Sequence, residues 1–166
     1  MLDRRFDRDG ELLARDEVLR LRVFRRPDAP EEVRLGWKGP TGVTPEGYKA
    51  RRELEYQIQG ERVAPAELLE ALNFRESNRV DRYVEYYRLG AASLRLEWYP
   101  RMDVLLEVEG DPESIEMALT ATGLPREQFT ADALVEFAAR YAARTGCPAV
   151  LAVDPQRPVS PTWESR

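Results

Sequence analysis

The chain of 166 residues contains no histidine and a single cysteine, Cys147. Those two shortages exclude disulfide frameworks, Cys/His zinc sites, Cys-His dyads and Ser-His-Asp hydrolysis within one chain. Any metal would have to be held by oxygen atoms. Lysine is also scarce: Lys38 and Lys49 stand against a background of arginine in a total of 25 basic residues. Arginine's planar fork of donors matches phosphate or carboxylate oxygens in pairs, which a lysine point charge does not. There is no excess of positive charge. The 25 basic residues face 30 acidic ones, a net charge of −5, which argues against nucleic acid as the partner. No apolar run approaches the roughly 18 residues of a membrane span. The opening stretch MLDRRFDRDGELLARDE is charged where a signal peptide needs an apolar core. The expectation is a cytoplasmic protein with no membrane partner.

The length suits one domain with a hydrophobic core. Residues 1–15 read as a loop with a short strand at 3–7 and a turn at Asp9-Gly10. Residues 18–24 alternate Leu19, Leu21 and Val23 with Arg20 and Arg22, the period of a strand. Residues 32–38 put Arg34, Gly36 and Lys38 on one face and Val33, Leu35 and Trp37 on the other. A Gly/Pro/Thr-rich loop follows, running to Gly47. Residues 51–60 form a third strand, with Arg51, Glu53, Glu55 and Gln57 sharing a face. Further strands are expected at 79–88, 93–98 and 104–110. Helices are expected at 64–74, with Pro65 near its start, at 111–122, capped by Asp111, and from 130 or 131 to 144. The tail from 147 to 166 holds four prolines and reads as disordered.

Several strands therefore carry one apolar and one charged face. An open sheet with its charged side in water has this pattern too. However, the apolar faces need cover, and three helices are available to supply it. A sheet closed with its apolar face outward under helices turns its charges inward. The expected fold is therefore α+β, an antiparallel β-barrel or tunnel with helices packed outside. The charges come in i,i+2 groups, Arg20 with Arg22, Glu53 with Glu55 and Glu107 with Glu109, whose headgroups sit about 6 to 7 Å apart on one side. Like charges that close need compensation. A lumen of mixed sign compensates itself in part, and Mg²⁺ or Mn²⁺ held by Glu97, Glu107 and Glu109 completes the balance when a polyanion binds.

Read together, F-D-R-D-G-E-L-L-A (6–14), V-L-R-L-R (18–22), W-K-G-P (37–40), R-x-E-x-E at Arg51, Glu53 and Glu55, Y-R-L-G (87–90) and L-L-E-V-E-G (105–110) resemble the CYTH superfamily of triphosphate tunnel enzymes. That group includes class IV adenylate cyclases and thiamine triphosphatases. The resemblance implies a CYTH-like domain over residues 1–146. It casts Arg20, Arg22, Lys38, Arg51 and Arg82 as phosphate ligands, Glu107 and Glu109 as metal ligands, and Glu97 in place of the family's usual aspartate. Glu53 and Glu55 become supporting tunnel carboxylates. It further implies divalent-metal-dependent hydrolysis of a triphosphate-containing substrate. Cyclisation of the class IV type, or binding of a polyphosphate or nucleotide without turnover, are the alternatives. The partner is then a phosphorylated small molecule, a triphosphate or nucleotide. The family's opening E-x-E-x-K is absent, so the first strand of the tunnel is missing. A start internal to a longer product is expected, with an exposed edge that invites a second copy of the chain to form a homodimer.

Overall fold

The computed structural model describes residues 1–59 and 63–154. They fall in two compact units, one of Met1–Asp81 and one that begins at Arg82.

In the first unit, alternating sequences build a five-stranded antiparallel sheet. Its strands are β1 (Leu2–Asp7), β2 (Val18–Arg26), β3 (Ala29–Lys38), β6 (Glu53–Ile58) and β7 (Arg75–Asp81), in the order β6-β3-β2-β1-β7. The Gly/Pro/Thr-rich loop contains a small hairpin of β4 (Gly42–Val43) and β5 (Lys49–Ala50). Helix α1 (Glu11–Ala14) follows a turn in which Asp9 and Gly10 both have positive φ. Asp7 fixes that turn: its carboxylate accepts hydrogen bonds from the amides of Arg8, Leu12 and Leu13. Helix α2 (Val63–Ala71) carries Leu69 into the core. One sheet face supplies the rest of that core, with Phe6, Leu21, Val23 and Val33 buried against Leu69 and with Leu2, Leu19, Leu35, Ile58 and Phe74 around them.

Two expected elements changed. The stretch read mostly as a loop forms β1, which sits inside the sheet and pairs with both β2 and β7. Arg4 breaks the apolar alternation of Leu2 and Phe6, which hid the strand; its guanidinium sits 3.5 Å from Glu76. The single strand expected at 79–88 is two, β7 and β8 (Tyr83–Leu89), separated at Arg82.

The second unit has a three-stranded sheet, β10-β9-β8, with β9 at Ala92–Trp98 and β10 at Leu105–Glu109. Helix α3 (Pro112–Thr122) packs on β9 and β10 through Ile115, Ala118 and Leu119. Asp111 caps it as expected, accepting hydrogen bonds from the amide and hydroxyl of Ser114, and Gly123 ends it at φ 69°. A 3₁₀ turn, Arg126–Gln128, and helix α4 (Leu134–Thr145) follow. Val150 then bridges Arg101 through reciprocal backbone hydrogen bonds of 2.8 and 3.0 Å. Residues 155–166 of the proline-rich tail lie outside the described residues.

The closed tunnel is overturned. Among the described residues the strands pair into open sheets of five, three and two strands. A barrel needs every strand hydrogen-bonded on both sides, whereas β6, β7, β8 and β10 each pair with one neighbour only. The CYTH-like barrel, and membership of the triphosphate tunnel family as inferred from it, are corrected accordingly to an α+β fold of open antiparallel sheets. The alternating pattern marks strands, but it does not distinguish an inward charged face from the free side of an open sheet.

Candidate anion-binding face

The side of the five-stranded sheet opposite α2 is built from the i,i+2 positions that the apolar core leaves over. Strand β2 contributes Arg20 and Arg22, β3 contributes Glu32, Arg34, Gly36 and Lys38, β6 contributes Glu53 and Glu55, and β1 contributes Asp3. Cross-strand register does the gathering: Arg22 lies opposite Arg34, and Arg20 opposite Gly36, which in turn lies opposite Glu55. Four cations thus occupy two adjacent strands.

Each cation is held by a carboxylate. Arg20 Nη1 lies 3.4 Å from Asp3 Oδ2, and Lys38 Nζ lies 2.6 Å from Glu53 Oε1. Glu55 serves two arginines at once, pairing with Arg22 through Oε2 and with Arg34 at 2.7 Å through Oε1. Glu32 is the second partner of Arg34. Two kinds of pair result. Asp3, Arg20 and Arg22 are buried, whereas Glu53 and Glu55 sit on the edge strand and are partly exposed. Buried pairs fix geometry; exposed carboxylates can be exchanged at small cost. Gly36 keeps the floor of this face low, since a Cβ there would stand 3.5 Å from Arg20 Nε and 3.8 Å from Glu55 Oε2.

The remaining predicted residues have other surroundings. Arg51 donates to the carbonyls of Gly39 and Asp16, both at 2.7 Å, so it pins the loop after β3. In the second unit, Glu97 is buried and accepts hydrogen bonds from Arg82 Nη1 at 2.7 Å and from the Tyr99 hydroxyl at 2.6 Å. Burial together with Glu97 pushes the Tyr99 hydroxyl well above the usual tyrosine range, which keeps it a donor. Glu107 and Glu109 both pair with Arg95 Nη2, at 2.6 and 2.8 Å, and Arg95 Nε lies 3.8 Å from Glu97. Burial opposes the charge on Arg95, but Glu107, Glu109 and Glu97 outweigh it and hold its pKa above the ordinary value.

No family model and no curated protein matches this chain. Solved structures do share its fold. The PH1819 protein of Pyrococcus horikoshii OT3 is 24% identical with a TM-score of 0.64, over 84% of this chain and 82% of that one. The PH1012 protein of the same organism is 19% identical with a TM-score of 0.60, over 82% and 80%. A conserved hypothetical protein of Pyrococcus furiosus, Pfu-838710-001, is 17% identical with a TM-score of 0.61, again over 82% and 80%. Identities this low establish a shared fold alone.

The expected chemistry is corrected with the fold. Arg95 stands among Glu97, Glu107 and Glu109, and among the described residues no group of three or more acidic or cysteine side chains is placed to hold a metal ion. Metal-dependent triphosphate hydrolysis and class IV-type cyclisation in an enclosed tunnel, and the hydrolase and cyclase labels that went with them, therefore lose their structural basis. Sequence reasoning overlooked Arg95, Asp3 and Tyr99. Arg95 was visible as the one basic residue of 93–98, and the cross-strand register that brings Glu107 opposite it was not. Asp3 was hidden by the loop reading of β1. No helix among the described residues is long and apolar enough to cross a membrane.

Proposed function

We propose that the charged face of the first unit binds a phosphorylated small molecule, whose oxygens take the places held by the Glu55 and Glu53 carboxylates. The observation that carries this reading is the concentration of Arg20, Arg22, Arg34 and Lys38 on two neighbouring strands around Gly36. Guanidinium groups donate in pairs to tetrahedral oxyanions, and buried partners such as Asp3 hold Arg20 in position beforehand. The edge-strand carboxylates then act as internal competitors. They neutralise the cations when no ligand is bound and swing toward solvent when one arrives. The reading concerns binding and assigns no catalytic step.

Isothermal titration with pyrophosphate, with ATP and with succinate as a phosphate-free dianion, each with and without Mg²⁺, tests it. The expected result is saturable binding of the phosphorylated ligands, weakening as salt rises. Arg34→Ala and Lys38→Ala should each reduce affinity by about tenfold, the equivalent of one charge-assisted contact near 1.4 kcal/mol. Equal affinities for wild type and both variants would refute the reading.

A further inference from the structure

Among the described residues no strand pairs with the outer edge of β6, and the side chains along it are apolar on the core side. Leu54 is 52% exposed and Tyr56 is 74% exposed. They border a groove of about 250 Å³ lined by Leu19, Leu35, Trp37, Leu54 and Tyr56. The neighbouring row of Val23, Val33 and Ile58 packs into the core with Leu69 of α2, so the apolar face runs on past the helix. An uncovered edge strand with large apolar side chains is a template for pairing with another strand.

The backbone sets how that pairing can occur. Gly39 donates its amide to the Arg52 carbonyl at 2.8 Å. By the alternation of an antiparallel ladder, Leu54, Tyr56 and Ile58 then turn their backbone groups toward β3, and Glu53, Glu55 and Gln57 turn theirs outward. A second copy of the same strand, run antiparallel, can pair only through these outward groups. Centring the two-fold axis on Glu55 would set Glu55 against itself, which is repulsive. Centring it on Gln57 would leave Leu54 without a partner inside the strand. Centring it on Tyr56 pairs every residue from Leu54 to Ile58 and opposes no like charges.

We infer that the chain forms a two-fold homodimer by antiparallel pairing of β6 in this last register. Glu55 then exchanges backbone hydrogen bonds with Gln57 of the partner subunit, Leu54 lies opposite Ile58 of the partner subunit, and Tyr56 meets Tyr56 of the partner subunit. The pairing joins the two five-stranded sheets into one. It also carries the exposed Leu54 beside the strand end that the partner's α2 covers. Charge favours a second copy of this chain as the partner, because in this register Glu55 faces the uncharged Gln57 of the partner subunit and Glu53 the uncharged Gln59 of the partner subunit. This inference stands apart from ligand binding, and either can fail alone.

The register makes a specific test possible. Tyr56 falls at a non-hydrogen-bonded position, where opposed Cα atoms approach to about 4.5 Å, inside the roughly 4.4–6.8 Å range of a disulfide. Position 54 lies four strand steps from its own symmetry mate. In the full chain carrying Cys147→Ser, which removes the one native thiol, Tyr56→Cys should cross-link to a covalent dimer on mild oxidation while Leu54→Cys stays monomeric under reducing-free denaturing electrophoresis. Gln57→Pro removes an outward amide at an edge position that tolerates proline, and should raise the dimer dissociation constant at least tenfold in sedimentation equilibrium while circular dichroism stays unchanged. A folded wild-type protein that is monomeric up to high micromolar concentration would overturn the inference. So would cross-linking at position 54 in preference to 56, or a dimer indifferent to Gln57→Pro.

Discussion

Arg22 and Glu55 form an ion pair across an intervening strand. Arg22 belongs to β2 and Glu55 to β6, with β3 between them, and the contact runs diagonally over β3 between Arg34 and Gly36. The same carboxylate also holds Arg34. Glu55 thus ties Arg22 of β2 and Arg34 of β3 to the sheet edge, and the contact passes over Gly36.

Tolerance at Gly36 grades by side-chain size. A Cβ at Gly36 meets its nearest neighbours at 3.5 to 3.8 Å, ordinary contact distances. Gly36→Ala should unfold within about 1 kcal/mol of wild type. Gly36→Leu must displace Arg20 or Glu55 and should lose about 1–3 kcal/mol in urea denaturation, the cost typical of overpacking. Equal stability of the two variants would show that the face is not closely packed there.

Gly39 is less tolerant. A Cβ there would stand 2.8 Å from Cη2 of the Trp37 ring, which a real Cβ contact does not reach. Gly39→Ala should therefore turn the Trp37 ring. The expected readout is a shift in tryptophan emission and a stability loss of about 1–3 kcal/mol. An unchanged emission spectrum would contradict the packing described.

In the second unit, Arg95 neutralises Glu107 and Glu109 and faces buried Glu97. Replacing it by Met leaves three carboxylates close together. Stability at pH 7 should fall by on the order of 1–3 kcal/mol, less than the roughly 3–5 kcal/mol of a fully buried pair because Glu107 and Glu109 are nearly half exposed. Repulsion raises carboxylate pKa values in the folded state, so the folded variant binds protons more readily than the unfolded chain. The deficit of Arg95→Met should accordingly shrink as pH falls from 7 toward 5. A deficit independent of pH would mean that lost packing, and not charge, is the cause.

Asp111 shifts the other way. Hydrogen bonds from the Ser114 amide and hydroxyl hold its carboxyl below the usual aspartate range. A depressed folded pKa adds stability that is complete above the unfolded pKa of about 3.9 and is lost as pH falls through the lower folded value. The difference in unfolding free energy between wild type and Asp111→Ala should be constant from pH 5 to 7 and narrow below about pH 4. A difference that persists unchanged to pH 2 would refute the role of the ionised cap.

Local signals in the sequence were legible where one residue acts on its own neighbours. Asp111, Pro112 and Gly123 marked the ends of α3, and the alternation around Leu19 to Val23 marked β2 and its two faces. The i,i+2 spacing put Arg20 beside Arg22 and Glu53 beside Glu55, but the register that brings Glu53 to Lys38 and Glu55 to Arg22 and Arg34 links distant strands and was not readable. Closure was not. Whether a charged face points inward depends on the partners of the outermost strands, and nothing in the spacing of β6 or β7 states what lies beyond them. β1 was obscured by one arginine on its apolar side, and the clamp at Arg95 by register, which links residues far apart in the chain.

If Glu55 holds places that a ligand's phosphate oxygens can take, Glu55→Gln must open them. Removing the negative charge frees Arg22 and Arg34 for the ligand while lowering stability, because two arginines lose an ionised partner. By isothermal titration, the variant should bind pyrophosphate about tenfold more tightly than wild type, a gain of ~1.4 kcal/mol, and should melt at lower temperature. An affinity equal to or weaker than that of wild type in the folded variant would mean that Glu55 does not compete with phosphate oxygens for Arg22 and Arg34.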